Sequence, residues 1–130
     1  LPQFALFPLR FHREGKKVVE AFYGGDWYAG HDYTGPKAFS TPPAWAGYFG
    51  HYRANHAWFN NFRIVVRKGK LLLIAPTGEE MALTPAAGGG FWAADEGHPP
   101  REQVSFDTEV HGKELRCVLS GLSYYRTFTP

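Results

Sequence analysis

Serine and cysteine are the residues of this chain that could act as nucleophiles. No serine is followed three residues later by lysine, and Ser123 lacks the second flanking glycine of a nucleophile elbow. Cys117 shares one face of a predicted strand with Leu115 and Leu119, which favours a buried structural thiol over a reactive one. The sequence therefore predicts no catalytic residue and no enzymatic activity in these 130 residues.

Histidine and carboxylate side chains could bind a metal ion or transfer protons. His51 and His56 are five residues apart, a spacing that suits one face of neither a strand nor a helix. Neither a cysteine pair nor a His-Glu-x-x-His motif accompanies them. The adjacent carboxylates Glu79-Glu80 and Asp95-Glu96 stand beside glycine and proline and are typical of solvated turns. We predict no metal site and no cofactor.

Residues 45–63 carry the strongest indication of a binding function. Aromatic side chains recur there and alternate with histidine, arginine and asparagine. This composition fits a core at the entrance to a first strand, a docking surface anchored by Trp, Tyr and Arg, or a cup for a small ligand. The candidate binding or docking residues are Trp45, Tyr48, His51, Tyr52, Arg53, His56, Trp58 and Arg63.

The composition excludes several classes of function. Fourteen Lys and Arg residues against twelve Asp and Glu residues give a net charge of +2, too small for a nucleic-acid-binding domain. The longest apolar run, residues 71–75, is far shorter than the roughly 20 residues that span a bilayer as a helix. One cysteine excludes a disulfide within the chain.

The elements that must position these residues are predicted to be β-strands. Aromatic residues make up 17% of the chain, and alternation with a period of two recurs where helical periodicity does not. We predict one all-β domain over residues 1–130. It comprises an N-terminal hairpin (1–29), a Gly/Pro-rich connection (30–43) and an antiparallel meander (44–130) closed as a barrel or sandwich. The predicted strands of the meander are residues 62–67, 71–75, 80–83, 91–93, 103–110, 113–119 and 124–128.

The order of several short motifs resembles a known family. Tyr48-Phe49-Gly50-His51-Tyr52-Arg53 fits the Tyr-x-Gly-x-Tyr-Arg opening of the C-terminal accessory domain of β-lactamase-related, penicillin-binding-protein-like serine hydrolases. The resemblance continues through residues 61–71, 76–80 and 119–128. It implies a lipocalin-like antiparallel barrel of about eight strands, here with an extra N-terminal hairpin. In that family the catalytic Ser-x-x-Lys and Tyr-x-Asn elements belong to an upstream domain, and both are absent from this chain.

Two functions follow as expectations from this resemblance. The first is a non-catalytic accessory domain that docks, through residues 45–63, on the catalytic domain of the same parent chain or on a second subunit. The alternative is a stand-alone barrel that binds a small apolar or peptidic ligand, which would require an internal cavity with a few convergent polar groups. The chain begins without methionine or a signal peptide, so we interpret it as part of a longer or processed protein. Its compartment, bacterial cytoplasm or periplasm, stays open.

Overall fold

A computed structural model describes residues 8–55, 59–94 and 102–127. The described part is all-β, with one short 3-10 helix, Pro43–Gly47, and no α-helix. Eight antiparallel strands form a closed up-and-down barrel, and three more form a separate N-terminal sheet in the order β1-β2-β3. The N-terminal strands are β1 (Leu9–Glu14), β2 (Lys17–Tyr23) and β3 (Asp26–Ala29). The barrel strands are β4 (Gly50–Arg53), β5 (Asn61–Arg67), β6 (Lys70–Ile74), β7 (Glu80–Pro85), β8 (Phe91–Ala94), β9 (Glu102–Val110), β10 (Lys113–Leu119) and β11 (Leu122–Arg126).

Tight turns place consecutive barrel strands side by side. The turns Lys68-Gly69, His111-Gly112 and Ser120-Gly121 each contain two residues with positive φ. Two left-handed residues in a two-residue loop match the twist of the strands that they join, and glycine adopts this conformation without steric cost. The predicted all-β meander is therefore confirmed, and it closes as a barrel.

The barrel interior is filled by apolar side chains that alternate with outward-facing residues along each strand. In β5, Phe62 and Ile64 are fully buried inside, whereas Arg63 and Arg67 point outward. The rings of Phe62 and Tyr124 meet at a centroid distance of 4.8 Å. The buried members of this core are Tyr52, Phe62, Ile64, Leu71, Leu73, Leu83, Phe91, Ala93, Val104, Cys117, Leu119 and Tyr124.

Two strands go beyond the elements expected from the sequence. The predicted N-terminal hairpin is extended by β3, which pairs with β2 because Gly24, at a φ of 59°, allows a tight turn at Gly24-Gly25. The strand β4 has only four residues, Gly50–Arg53, and closes the barrel by pairing with both β11 and β5. Within the described residues the β11–β4 seam has two ladder pairs, Tyr125 with Arg53 and Arg126 with Tyr52, and Thr127 N donates to the His51 carbonyl oxygen beyond them.

A buried polar clamp holds the N-terminal sheet against the outside of the barrel. The Arg67 side chain is 6% exposed and donates hydrogen bonds from Nε and Nη2 to the carbonyl oxygen of Gly24, in the β2–β3 turn. Its Nη1 lies 2.7 Å from Glu80 Oε2, and its guanidinium lies over the ring of Phe22. Glu80 also pairs with Arg10 of β1 at 3.1 Å. The clamp thus joins β1, β2 and the β2–β3 turn to β5 and β7.

Candidate functional site

The candidate residues Trp45, Tyr48 and Tyr52 lie together at one end of the barrel. The Tyr52 side chain is fully buried, and its hydroxyl donates to the carbonyl oxygen of Tyr48 at 2.8 Å. The Tyr48 ring stacks on Phe106 at 4.2 Å, and Trp45 meets Phe91 edge-on. These three aromatic residues therefore cover the end of the core, and they match the core-and-entrance interpretation of residues 45–63.

The candidate residues His51, Arg53 and Arg63 lie on the outer surface of the barrel, and we call them the basic strip. His51 pairs directly with Arg63 across β4 and β5. Arg53 is two residues from His51, so its side chain leaves the same face of β4. Tyr125, 57% exposed, pairs with Arg53 from the neighbouring strand β11 and flanks the strip.

The charged form of the His51 imidazole is disfavoured at its position in the basic strip. Burial lowers the pKa of the His51 imidazole, an Asn61 hydrogen bond at 3.2 Å opposes this, and the charges of Arg63 and Arg53 lower that pKa further. Burial also lowers the pKa of Arg63, although Tyr23 counteracts the effect. The two arginines therefore favour the neutral form of the His51 imidazole, in the same direction as its burial.

Other candidate residues either serve the fold or fall outside the described part. Glu80, one of the paired carboxylates at 79–80, is committed to Arg10 and Arg67. His56, Trp58 and the carboxylates at 95–96 lie outside the described residues. The structure thus divides the described candidates into an internal aromatic group and an external basic group.

The described residues include one thiol, that of Cys117, and several side chains of the types that bind metal ions. Cys117 is fully buried, and burial, followed by the charge of Asp107, raises the pKa of its thiol. A thiol of this kind is a poor nucleophile because the thiolate is the reactive form.

Across residues 8–55, 59–94 and 102–127, no three His, Cys, Asp or Glu side chains converge on a metal position. No helix in that part of the chain has the length and apolar character of a membrane span.

The N-terminal sheet carries an exposed apolar surface that no sequence pattern indicated. Leu9, Phe11, Tyr23 and Tyr28 lie on one side of the N-terminal sheet, linked by the strand pairs Leu9 with Tyr23, Phe11 with Ala21, and Ala21 with Tyr28. They are 58%, 52%, 38% and 59% exposed, and we call them the apolar face. Alternation along β1 was visible in the sequence, but which side of the sheet would meet the barrel was not.

The opposite side of the same sheet contacts the barrel through polar groups. Glu20 is buried and accepts hydrogen bonds from Lys68 Nζ at 2.5 Å and from Trp27 Nε1 at 3.0 Å. Lys68 also lies 5.1 Å from the ring of Trp27. Between this side and the barrel runs a cleft of about 1280 Å3, whose lining includes Phe22 and Leu72. Its polar lining includes Lys70 and three residues of the clamp, Arg10, Arg67 and Glu80.

Arg126 organises the end of the barrel at which the internal aromatic group lies. Its guanidinium donates to the carbonyl oxygens of Glu114, Phe49 and Gly47 at 2.5–2.7 Å, and to the Tyr52 hydroxyl at 2.9 Å. One side chain therefore ties β11 to β10, to β4 and to the segment that follows the 3-10 helix. No sequence pattern singled out this role, because it depends on which backbone oxygens the fold brings together.

Comparison with known proteins gives no relative. No protein-family model, no curated protein and no solved structure matches this chain. The class that the described residues define is an all-β protein, with a closed eight-stranded antiparallel barrel and an added three-stranded N-terminal sheet.

Proposed function

We propose that this chain is a non-catalytic accessory β-barrel domain that docks on a serine hydrolase catalytic domain. The observation that carries the docking role is the apolar face of the N-terminal sheet. Leu9, Phe11, Tyr23 and Tyr28 lie on one side of the sheet and are 38–59% exposed, and the largest exposed apolar patch of a monomeric protein is often functional. Aromatic side chains of this kind anchor protein interfaces.

The identity of the partner rests on the resemblance to the accessory domains of β-lactamase-related serine hydrolases. In such a parent protein the catalytic domain comes first in the sequence. The polypeptide would therefore pass from the catalytic domain into this domain just before β1. A domain joined there would precede β1, the strand that carries Leu9 and Phe11 of the apolar face. Connectivity and exposed apolar area therefore favour the N-terminal sheet over the aromatic residues 45–52 as the docking element.

Two features support a non-catalytic role. The thiol of Cys117 is buried in the core, and the described carboxylates Glu20, Glu80 and Asp107 are engaged in ion pairs. We expect no covalent labelling of the purified chain by a fluorophosphonate or a fluorescent penicillin, measured by intact mass. A stoichiometric adduct on one serine would contradict the non-catalytic assignment.

The docking proposal is tested on the natural gene product. Its intact mass is first compared with the 14.6 kDa of this chain, and the product or its stable complex is examined for a serine hydrolase domain. Phe11→Ser/Tyr28→Ser should then separate the domains, seen as a larger radius of gyration in X-ray scattering and faster limited proteolysis. Val110→Ser/Leu122→Ser, which changes exposed apolar residues elsewhere, should leave both unchanged. A product that contains and binds no hydrolase domain would refute the proposal.

A small-molecule-binding barrel is the second candidate, and the cleft between the sheet and the barrel is what favours it. Because the barrel interior is filled by rings such as Phe62 and Tyr124, a ligand would lie in the cleft of about 1280 Å3, over Phe22 and Leu72. Native mass spectrometry of the chain purified without denaturation tests this candidate. A retained ligand that is lost on Leu72→Arg substitution would move it to first place.

A further inference from the structure

We propose that the cleft between the N-terminal sheet and the barrel binds an elongated apolar carboxylic acid, with its carboxylate at Lys70. The proposal rests on the second candidate function and deepens it, because it names the class of ligand for the same cleft. The cleft has a volume of about 1280 Å3, enough for a small molecule. Its shape and its charges define which molecule fits.

The floor of the cleft is a row of apolar side chains on the outer surface of the barrel. Leu72 of β6 pairs with Ala82 of β7, and Ala82 pairs with Ala94 of β8, so the three side chains lie side by side. All three line the cleft. Neighbouring strands are about 4.8 Å apart, so the row is about 10 Å long. Leu72 is 8% exposed, whereas Ala82 and Ala94 are half-buried. The row therefore continues outward from its covered end at Leu72.

Larger residues flank this row and make it a groove. Lys70 lies two residues before the first member of the row, so its side chain leaves the same face of β6. On the next two strands this flank carries Thr84 and Trp92, which pair with each other. The opposite flank carries Ile74 and Glu80, another direct pair. Because the alanine side chains of the row are single methyl groups, an unbranched chain fits between the two flanks.

The ion pairs of the cleft leave the Lys70 ammonium group for a ligand. The clamp engages both arginines of the lining with Glu80, and Lys68 pairs with Glu20. Lys70 is exposed, and it has no ion-pair partner within residues 8–55, 59–94 and 102–127. A carboxylate beside this ammonium group would form an ion pair in a partly covered site, where water weakens the attraction less than on an open surface.

The remaining charges of the lining give the ligand one direction. Glu80 pairs with Ile74, which is four residues, or about 13 Å, along β6 from Lys70. Glu79, the neighbour of Glu80, therefore lies at the end of the cleft remote from Lys70. The described lining has four Lys and Arg side chains against three Glu, and it also includes His12. This excess of positive charge favours an anionic ligand over a cationic one.

The experiment titrates the 15N-labelled chain with octanoate, 1-octanol and octylammonium in separate series, at neutral pH and low salt. We expect octanoate to shift the amides around Leu72, Ala82 and Ala94, and to bind at least threefold more tightly than either of the other probes. Lys70→Met removes the charge and keeps a long side chain, so it should weaken octanoate binding at least threefold and leave 1-octanol binding unchanged. Lys113→Met, at an exposed strand end outside the cleft, is the matched control and should leave all three affinities unchanged.

A second variant tests the groove itself. Ala94→Leu, at a half-buried outer position, fills one end of the groove and should weaken the binding of octanoate and of 1-octanol alike, at least threefold. If the 15N spectrum of either variant shows loss of the fold, the smaller changes Lys70→Gln and Ala94→Val provide the same comparison.

The proposal is overturned if octanoate causes no shifts, if its shifts are centred elsewhere, if 1-octanol binds equally well, or if Lys113→Met loses as much affinity as Lys70→Met. A natural ligand that is retained in the cleft and carries no acidic group would also overturn this ligand class, while the second candidate function would stand. Tyr28→Ser, on the apolar face, should bind octanoate normally, so the docking role and this site are tested separately.

Discussion

Glu20 is a buried carboxylate whose charge is maintained by two neighbouring side chains. Burial alone would raise its pKa, but the hydrogen bonds from Lys68 and Trp27 outweigh burial and lower the pKa below its ordinary value of 4.5. The carboxylate therefore joins β2 to the β5–β6 turn while it is ionised. Protonation would remove the acceptor that holds Lys68 in place.

The lowered pKa of Glu20 predicts acid sensitivity of the fold. A carboxyl group that loses its proton more readily in the folded state contributes stability above its unfolded pKa, near 4.5, and loses that contribution as the pH falls through the lower folded value. The free energy of unfolding in urea should therefore decline below about pH 5. Glu20→Gln should be less stable at pH 7 and should show a flatter decline. The exposed Glu14→Gln should retain the wild-type profile, and an equally steep decline in both variants would contradict the assignment.

Among the elements, the seam between β11 and β4 has the shortest ladder of the barrel. Two ladder pairs join these strands in the described part of the chain, whereas β9 and β10 share six. Arg126 compensates with hydrogen bonds to Glu114, Phe49, Gly47 and Tyr52. A planar guanidinium can serve acceptors in several directions at once, which a lysine ammonium on a flexible stem does less well.

Substitution of Arg126 should open the barrel at this seam. Arg126→Leu leaves three backbone oxygens and the Tyr52 hydroxyl without their donor, and we expect a loss of about 2–4 kcal/mol in the free energy of unfolding. Hydrogen exchange should become faster in β4 and β11 before the rest of the barrel. Arg13→Leu, at an exposed position of β1, is the control. If the amides of β4 and β11 keep their protection from hydrogen exchange, the backbone pairing of these two strands closes the barrel without Arg126.

Much of the barrel could be predicted because alternation and turn chemistry agree along β5, β6, β9 and β10. The short strand β4 was missed because four residues after a glycine are too few for a periodic pattern to appear. The third N-terminal strand, β3, was missed because it follows two glycines, and such a pair is as typical of the end of a strand as of a tight turn. Period-two alternation identifies the two sides of a strand, but tertiary packing decides which side is inside.

In the candidate site, too, the sequence pattern does not show which individual side chains point into the barrel. Tyr52 and Arg53 are neighbours in the sequence and in one motif, yet they lie on opposite sides of β4. Residues 45–48 enter through a 3-10 helix, so strand alternation does not apply to Trp45 and Tyr48. The mixture of aromatic and basic residue types in residues 45–63 therefore did not indicate which of these side chains lie in the core and which lie on the outer surface.

On the scale of the whole molecule, the N-terminal sheet and the barrel are two units joined by the Arg67 clamp. The sheet has only three strands, and four large apolar side chains on one of its sides are 38–59% exposed, so few apolar contacts stabilise it on its own. Arg67 supplies a buried link to Gly24 and Glu80. Loss of this residue should affect the attachment of the sheet more than the barrel.

Arg67→Met tests this division of the molecule. It removes the donor to Gly24 and the closer of the two arginines that pair with Glu80, and removal of one member of a buried pair is strongly destabilising. Amide exchange in β1–β3 should become at least tenfold faster while β5 and β6 keep their protection, measured by NMR at neutral pH. Arg13→Met should exchange like the wild type. Equal acceleration in sheet and barrel would indicate one cooperative unit.

Closure of the barrel also determines where the chain can associate by strand pairing. Each barrel strand, β4 to β11, has a paired neighbour on both sides, so its backbone groups are not a template for another chain. The outer strands β1 and β3 of the N-terminal sheet each have one paired neighbour, and they adjoin the apolar face. In β1 the register shifts between His12 and Arg13, which interrupts the regular ladder that an added strand would continue. We therefore expect any association by strand pairing to start at the N-terminal sheet, with β3 a better template than the irregular β1.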